Sequence, residues 1–175
     1  MKKNLIAVAV LASSAFGISA FAADGQVNFT GEIIDAGCTV VNTPANPLEV
    51  KLGKVARSAF TQAGDTAAAT GFTLRLTNCP ATVGTATVKF DGTSVNGDSS
   101  LLALTQGAGV ATGVAIQLTD NTDAILPLAT ASKAYSLESG SAVNDLDFVA
   151  RYISTSNTVT AGPANSMASF TINYN

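Results

Sequence analysis

Histidine and tryptophan are absent from this sequence. Without histidine, neither a Ser-His-Asp nor a Cys-His constellation can be built. No S-x-x-K motif offers a serine–lysine nucleophile in its place. Charged residues make up only 12% of the chain, about half the usual share, and acidic residues outnumber basic ones. An acidic, weakly charged chain is a poor partner for nucleic acid or anionic lipid. With no tryptophan and only eleven Phe and Tyr residues, no aromatic cluster stands out to stack on a sugar. A secreted enzyme is therefore not expected, and no cofactor or metal is expected either.

Long apolar runs are also missing. The single candidate, Leu5–Ala12, is too short to span a bilayer. It follows the basic start Met1-Lys2-Lys3 and precedes Ala20-Phe21-Ala22, which places small residues where a signal peptidase reads. Residues 1–22 are read as a secretory signal peptide cleaved after Ala22, leaving a soluble chain from Ala23 with no direct membrane insertion. Its removal takes Lys2 and Lys3 with it, so the formal net charge moves from −3 to about −5. The rest is long enough for one domain with its own core. Two cysteines remain, Cys38 and Cys79. In an exported chain such a pair reads first as a disulfide, and a metal or redox pair is the weaker alternative in the absence of histidine and of C-x-x-C.

The sequence is rich in alternation of period two, the signature of half-buried strands. Val27, Phe29 and Ile33 alternate with polar residues, and so do Ile34, Ala36, Cys38 and Val40. The same holds for Phe72, Leu74 and Leu76; for Ala86, Val88 and Phe90; for Val114, Ile116 and Leu118; and for Leu146, Phe148, Ala150 and Tyr152. A last alternation runs through Ala168, Phe170, Ile172 and Tyr174. Turn-forming clusters such as Asn42-Thr43-Pro44, Asp91-Gly92 and Asn96-Gly97-Asp98 separate these segments. Many short strands with regular turns predict an all-β sandwich. Ala56–Ala69 is the one stretch with room for a short helical turn.

Two details stand out near the start. The apolar set occupies odd positions up to Ile33 and even positions from Ile34. A change of phase sends side chains to the opposite face, so either a β-bulge lies at Ile33-Ile34 or the two segments bury themselves against different surfaces. Gly31 falls in the first apolar set, where it reads either as a turn residue or as a close approach of two backbones.

Other motifs carry no chemistry. Gly107–Gly113 misses the dinucleotide-binding spacing and opens onto a strand, so it reads as a flexible loop. Asp120-Asn121-Thr122-Asp123 lacks the glycine and distal glutamate of a calcium loop and reads as a polar turn. Asp147 and Arg151 would share a strand face and form a surface ion pair. The C-terminal alternation raises a separate question, because an unblunted strand is an aggregation hazard unless something pairs with it.

Taken in order along the chain, these features resemble the subunits of chaperone–usher fimbriae, in the type 1 major subunit family. The resemblance rests on Gly25–Cys38, on Leu74–Cys79, on Ala111–Leu118, and on Gly162 and Tyr174, which match a glycine fourteen residues from the end and a penultimate tyrosine. It implies an incomplete immunoglobulin-like β-sandwich that lacks its last strand and is completed by a donated one. Residues 23–33 would be the donor-strand extension and residues 34–175 the pilin domain. Val27, Phe29, Gly31 and Ile33 would enter a neighbour's groove, with Gly31 where a side chain has no room. Gly162, Ala168, Phe170, Ile172 and Tyr174 would mark the C-terminal strand that pairs first with a chaperone and then with the donor. The implied partners are identical or related pilin subunits, a periplasmic chaperone and an outer-membrane usher. The implied function is that of a structural subunit of a surface filament used in adhesion; a minor or adaptor pilin, or a small glycan-binding module, is the alternative.

Overall fold

A computed structural model describes residues 25–34 and 36–175. The signal peptide read at residues 1–22 and the first two residues of the expected extension, Ala23 and Asp24, lie outside the described residues. The chain divides into two units, one ending at Ile33 and the other spanning Ile34–Asn175.

In the first unit residues 25–33 form no helix or strand, and all are exposed. Val27, Phe29 and Ile33 are 74%, 93% and 99% exposed. An alternating segment with no strand beside it has neither ladder bonds nor a face to bury.

The second unit is all β apart from one 3-10 turn at Arg57–Ala59. Among the described residues nine strands follow one another: β1 Thr39–Val40, β2 Thr66–Thr77, β3 Thr85–Asp91, β4 Ser94–Val95, β5 Asp98–Leu102, β6 Val114–Asp120, β7 Tyr135–Ser136, β8 Asn144–Ser154 and β9 Ser169–Tyr174. Six of them form one sheet in the order β1-β2-β8-β6-β5-β4, and three form a second in the order β7-β3-β9. Every pairing is antiparallel.

The predicted alternation supplies the core. Leu74 and Leu76 of β2, Leu146 and Phe148 of β8, and Val88 and Phe90 of β3 are all buried. Phe90 meets Phe148 edge-on at 5.1 Å between ring centroids and Phe72 at 6.0 Å, stitching the two sheets together. The helical turn expected within Ala56–Ala69 is confined to residues 57–59. From Thr66 the alanines join β2 because β8 is there to pair with them, and Ala68, with φ +56°, sits in a register shift between Ala67 and Thr70. Packing overrides the helix preference of alanine.

The strand expected over Ile34–Val40 pairs only at Thr39–Val40, with β2. Cys38 is buried, but Ile34 and Ala36 are exposed. The even-numbered set therefore reaches the subunit's own core only from Cys38 onward.

Candidate functional site: an unpaired sheet edge

β9 has one neighbour. It pairs with β3 from Ala86↔Tyr174 to Asp91↔Ser169, and no strand lies on its other side among the described residues. Its inward side chains register the gap. Ala168, Phe170, Ile172 and Tyr174 pack against the core yet stay only half-buried, whereas Ala86, Val88 and Phe90 on the adjacent β3 are fully covered. A strand edge of this kind presents unpaired N–H and C=O groups along its length.

A second bordering segment escaped the sequence reading. Leu48-Glu49-Val50-Lys51-Leu52 alternates as a strand does, and Val50 and Leu52 pack against the core. It belongs to no sheet among the described residues. The alternation was legible, but prolines at 44 and 47 and the shortness of the run hid it.

The chain on either side of this segment, at residues 37–38 and 53–60, makes contacts with Tyr174 and with the residues that lead into β9. At one end the Tyr174 ring packs on Gly37, with Cε2 2.6 Å from where a Cβ would sit, and its hydroxyl lies 3.5 Å from the Cys38 carbonyl oxygen. Further on, Gly53, Lys54, Val55, Arg57 and Phe60 line a common cleft of about 410 Å³ with Val159–Asn165. The chain between Gly37 and Phe60 thus runs from the Tyr174 end of β9 to the segment that leads into β9.

The cleft end is rigidly built. Tyr152 forms part of its lining and donates its hydroxyl to the Ala164 carbonyl at 2.9 Å, and burial raises the pKa of that phenol. Gly162 stands in a bend ahead of β9, not on the strand. A Cβ there would collide with the Gly109 carbonyl and come within 2.7 Å of the Ala111 nitrogen. The neighbouring Pro163 carbonyl accepts from Ala111 N–H at 3.0 Å, and Thr160 exchanges hydrogen bonds with Thr112. Gly107–Gly113 is a loop, as expected, and these bonds tie its second half to residues 160–163.

Cys38 and Cys79 are bonded to each other. The bond ties the segment that supports Tyr174 to the end of β2. The buried Asn144 side chain donates to the Glu138 carbonyl and approaches the Cys79 sulfur at 3.5 Å. Asp120 holds the polar turn that follows it, accepting from the Thr122 hydroxyl at 2.7 Å and the backbone N–H groups of Thr122 and Ala124. One expectation is corrected. Arg151 does not pair with Asp147: it donates twice to Gln117 and faces Asp123 at 3.6 Å, while Asp147 accepts from Thr73. Four residues along a strand is about 13 Å, too far for an ion pair even on a shared face.

The profile of the fimbrial protein family matches residues 27–175. The chain belongs to the fimbrial protein family. It is 37% identical to long polar fimbria protein A of Salmonella typhimurium, over 97% of this chain and 93% of that one. It is also 37% identical to the type-1 fimbrial protein A chain of Escherichia coli, over 99% and 100%. Among solved structures it resembles an antigen and type I fimbria protein of Burkholderia pseudomallei, at 41% identity and a TM-score of 0.59 over 86% and 97% of the two chains. The P pilus rod subunit shares the fold at 24% identity, with a TM-score of 0.65 over 80% and 100%. The fimbrial chain is thus an immunoglobulin-like sandwich lacking a strand, and a structural subunit of a chaperone–usher fimbria.

Proposed function

We propose that this fimbrial subunit polymerises head to tail, its residues 23–33 filling the gap beside β9 of another copy. The observation that carries the reading is a matched pair of deficits in one chain. β9 has an unpaired edge and half-buried inward residues, and residues 25–33 alternate with their apolar set almost wholly exposed. Each deficit is what the other would satisfy: backbone groups complete a ladder, and Val27, Phe29 and Ile33 leave water for the core. Their burial contributes at most roughly 1.5–3 kcal/mol each. Gly31 falls within the same apolar set, at the point where the donated backbone comes nearest the acceptor.

Donor and acceptor are different surfaces, so the contact is heterologous, does not close on itself, and grows a filament. Before assembly the same gap needs a temporary strand, which is the part of a periplasmic chaperone, and an outer-membrane usher then directs the exchange. The product is a surface filament serving adhesion. Deleting residues 23–33 tests the reading. The shortened chain should be made and exported but unable to donate, so filaments containing it stop or vanish by electron microscopy. Filaments of normal length and number built from it would overturn the proposal.

A further inference from the structure

The basic residues beyond the leader are unevenly used. Arg75, Lys89, Lys133 and Arg151 each face a carboxylate within 4 Å: Asp145, Asp91, Asp120 and Asp123 respectively. Lys51 has a loose, exposed contact with Glu49. Lys54 and Arg57 have no carboxylate partner among the described residues, and both line the cleft shared with Val159–Asn165. Two cations without a carboxylate partner therefore stand in the cleft lined by Val159–Asn165, the segment that leads into β9.

The donor segment has the complementary composition. Between residues 23 and 50 there is no lysine or arginine, and the carboxylate within the alternating stretch is Glu32, which is exposed. We infer that Lys54 and Arg57 form a cationic mouth that receives Glu32 of a second copy of this chain. A strand laid in the gap antiparallel to β9 brings its later residues toward the beginning of β9 and the segment leading into it, and so brings Glu32 toward the cleft. A strand laid the other way carries Glu32 to the Tyr174 end, away from both cations. The pair thus favours one direction of entry, and an attraction between charges at a rim acts on the rate of encounter more than on final stability.

This inference rests on the strand-donation reading, and a charge-swap series separates the two. Full-length subunits are followed as they assemble, by denaturing gels sampled over time, at low and at high salt. Glu32→Lys, and separately Lys54→Glu with Arg57→Glu, should each slow assembly about two- to fivefold at low salt, with the difference shrinking at high salt. Combining all three substitutions should restore most of the original rate. Unchanged rates in the reversals, or no recovery in the combination, would overturn the charged mouth while leaving strand donation standing, provided the 23–33 deletion still abolishes filaments. Normal assembly by that deletion would overturn both.

Discussion

Tyr174 occupies the space a side chain on residue 37 would need. Its Cε2 atom lies 2.6 Å from the place of a Cβ on Gly37, and its hydroxyl reaches toward the next residue's carbonyl. The last inward residue of β9 is thereby fitted against the segment that leads into Cys38.

Gly37→Ala should therefore push the ring aside and lower stability by about 1–3 kcal/mol, the usual cost of an overpacked contact. Urea unfolding of the purified chain measures it. Gly37→Ala combined with Tyr174→Leu should cost less than the sum of the two single changes, because the two residues compete for one space. Strict additivity would mean that they do not.

Removing the Cys38–Cys79 bond should weaken the same end of the gap. The bond closes a loop with a sequence separation of 41. For a loop of this size the chain-entropy estimate is about 4 kcal/mol. A Cys38→Ala/Cys79→Ala chain should unfold at much lower urea and assemble poorly even where it is exported. An unfolding midpoint equal to that of the parent chain would contradict this.

Acid should loosen the fold through its turn carboxylates. The backbone N–H of Gln62 and the hydroxyl and N–H of Thr61 hold Asp65 below its usual range. The Ser100 hydroxyl and N–H do the same for Asp98. For Asp120 the Thr122 hydroxyl leads, followed by the N–H groups of Thr122 and Ala124 and the charge of Lys133, with burial opposing them. A carboxyl whose folded pKa is depressed adds stability that is full above its unfolded value, near 3.8, and is lost as pH falls through the folded one. Melting temperature should drop below about pH 4. In Asp120→Asn that acid limb should be shallower, and an unchanged limb would count against the assignment.

Gly162→Ala should separate residues 160–163 from the loop at 109–112. The added methyl meets backbone, which cannot swing away as a side chain can. A loss of about 1–3 kcal/mol in unfolding stability is expected, with faster amide exchange at Ala111, whose N–H bonds to Pro163. Protection at Ala111 equal to that of the parent would speak against this role.

Much of this architecture is legible in the sequence, and the exceptions share a cause. β3 and β8 follow from alternation alone, because each turns its apolar set onto a core made within the same subunit, and β9 shows the same alternation with its inward set half-covered. Ala67–Ala69 misled because a pairing with β8, remote in sequence, decides their conformation. Ile34 and Ala36 carry the pattern of a strand but are exposed, and Leu48–Leu52 carries it without any ladder. Local pattern records what a segment is suited to pair with. It does not record whether that partner belongs to the same chain. Lys54 and Arg57 carry no motif, and only the pairing of the other cations makes them stand out.

The connection between β3 and β9 sets an order of events for a chain that emerges amino end first. Thr85–Asp91 is delivered roughly eighty residues before Ser169–Tyr174, the strand it needs. During that interval Val88 and Phe90 have one wall of their surroundings and lack the other. The smaller sheet is the last thing this molecule can finish, so the hazard of going astray is greatest before Ser169–Tyr174 has emerged. Slower emergence lengthens that exposure, which makes the pace at which the chain appears a determinant of how many subunits survive to be used.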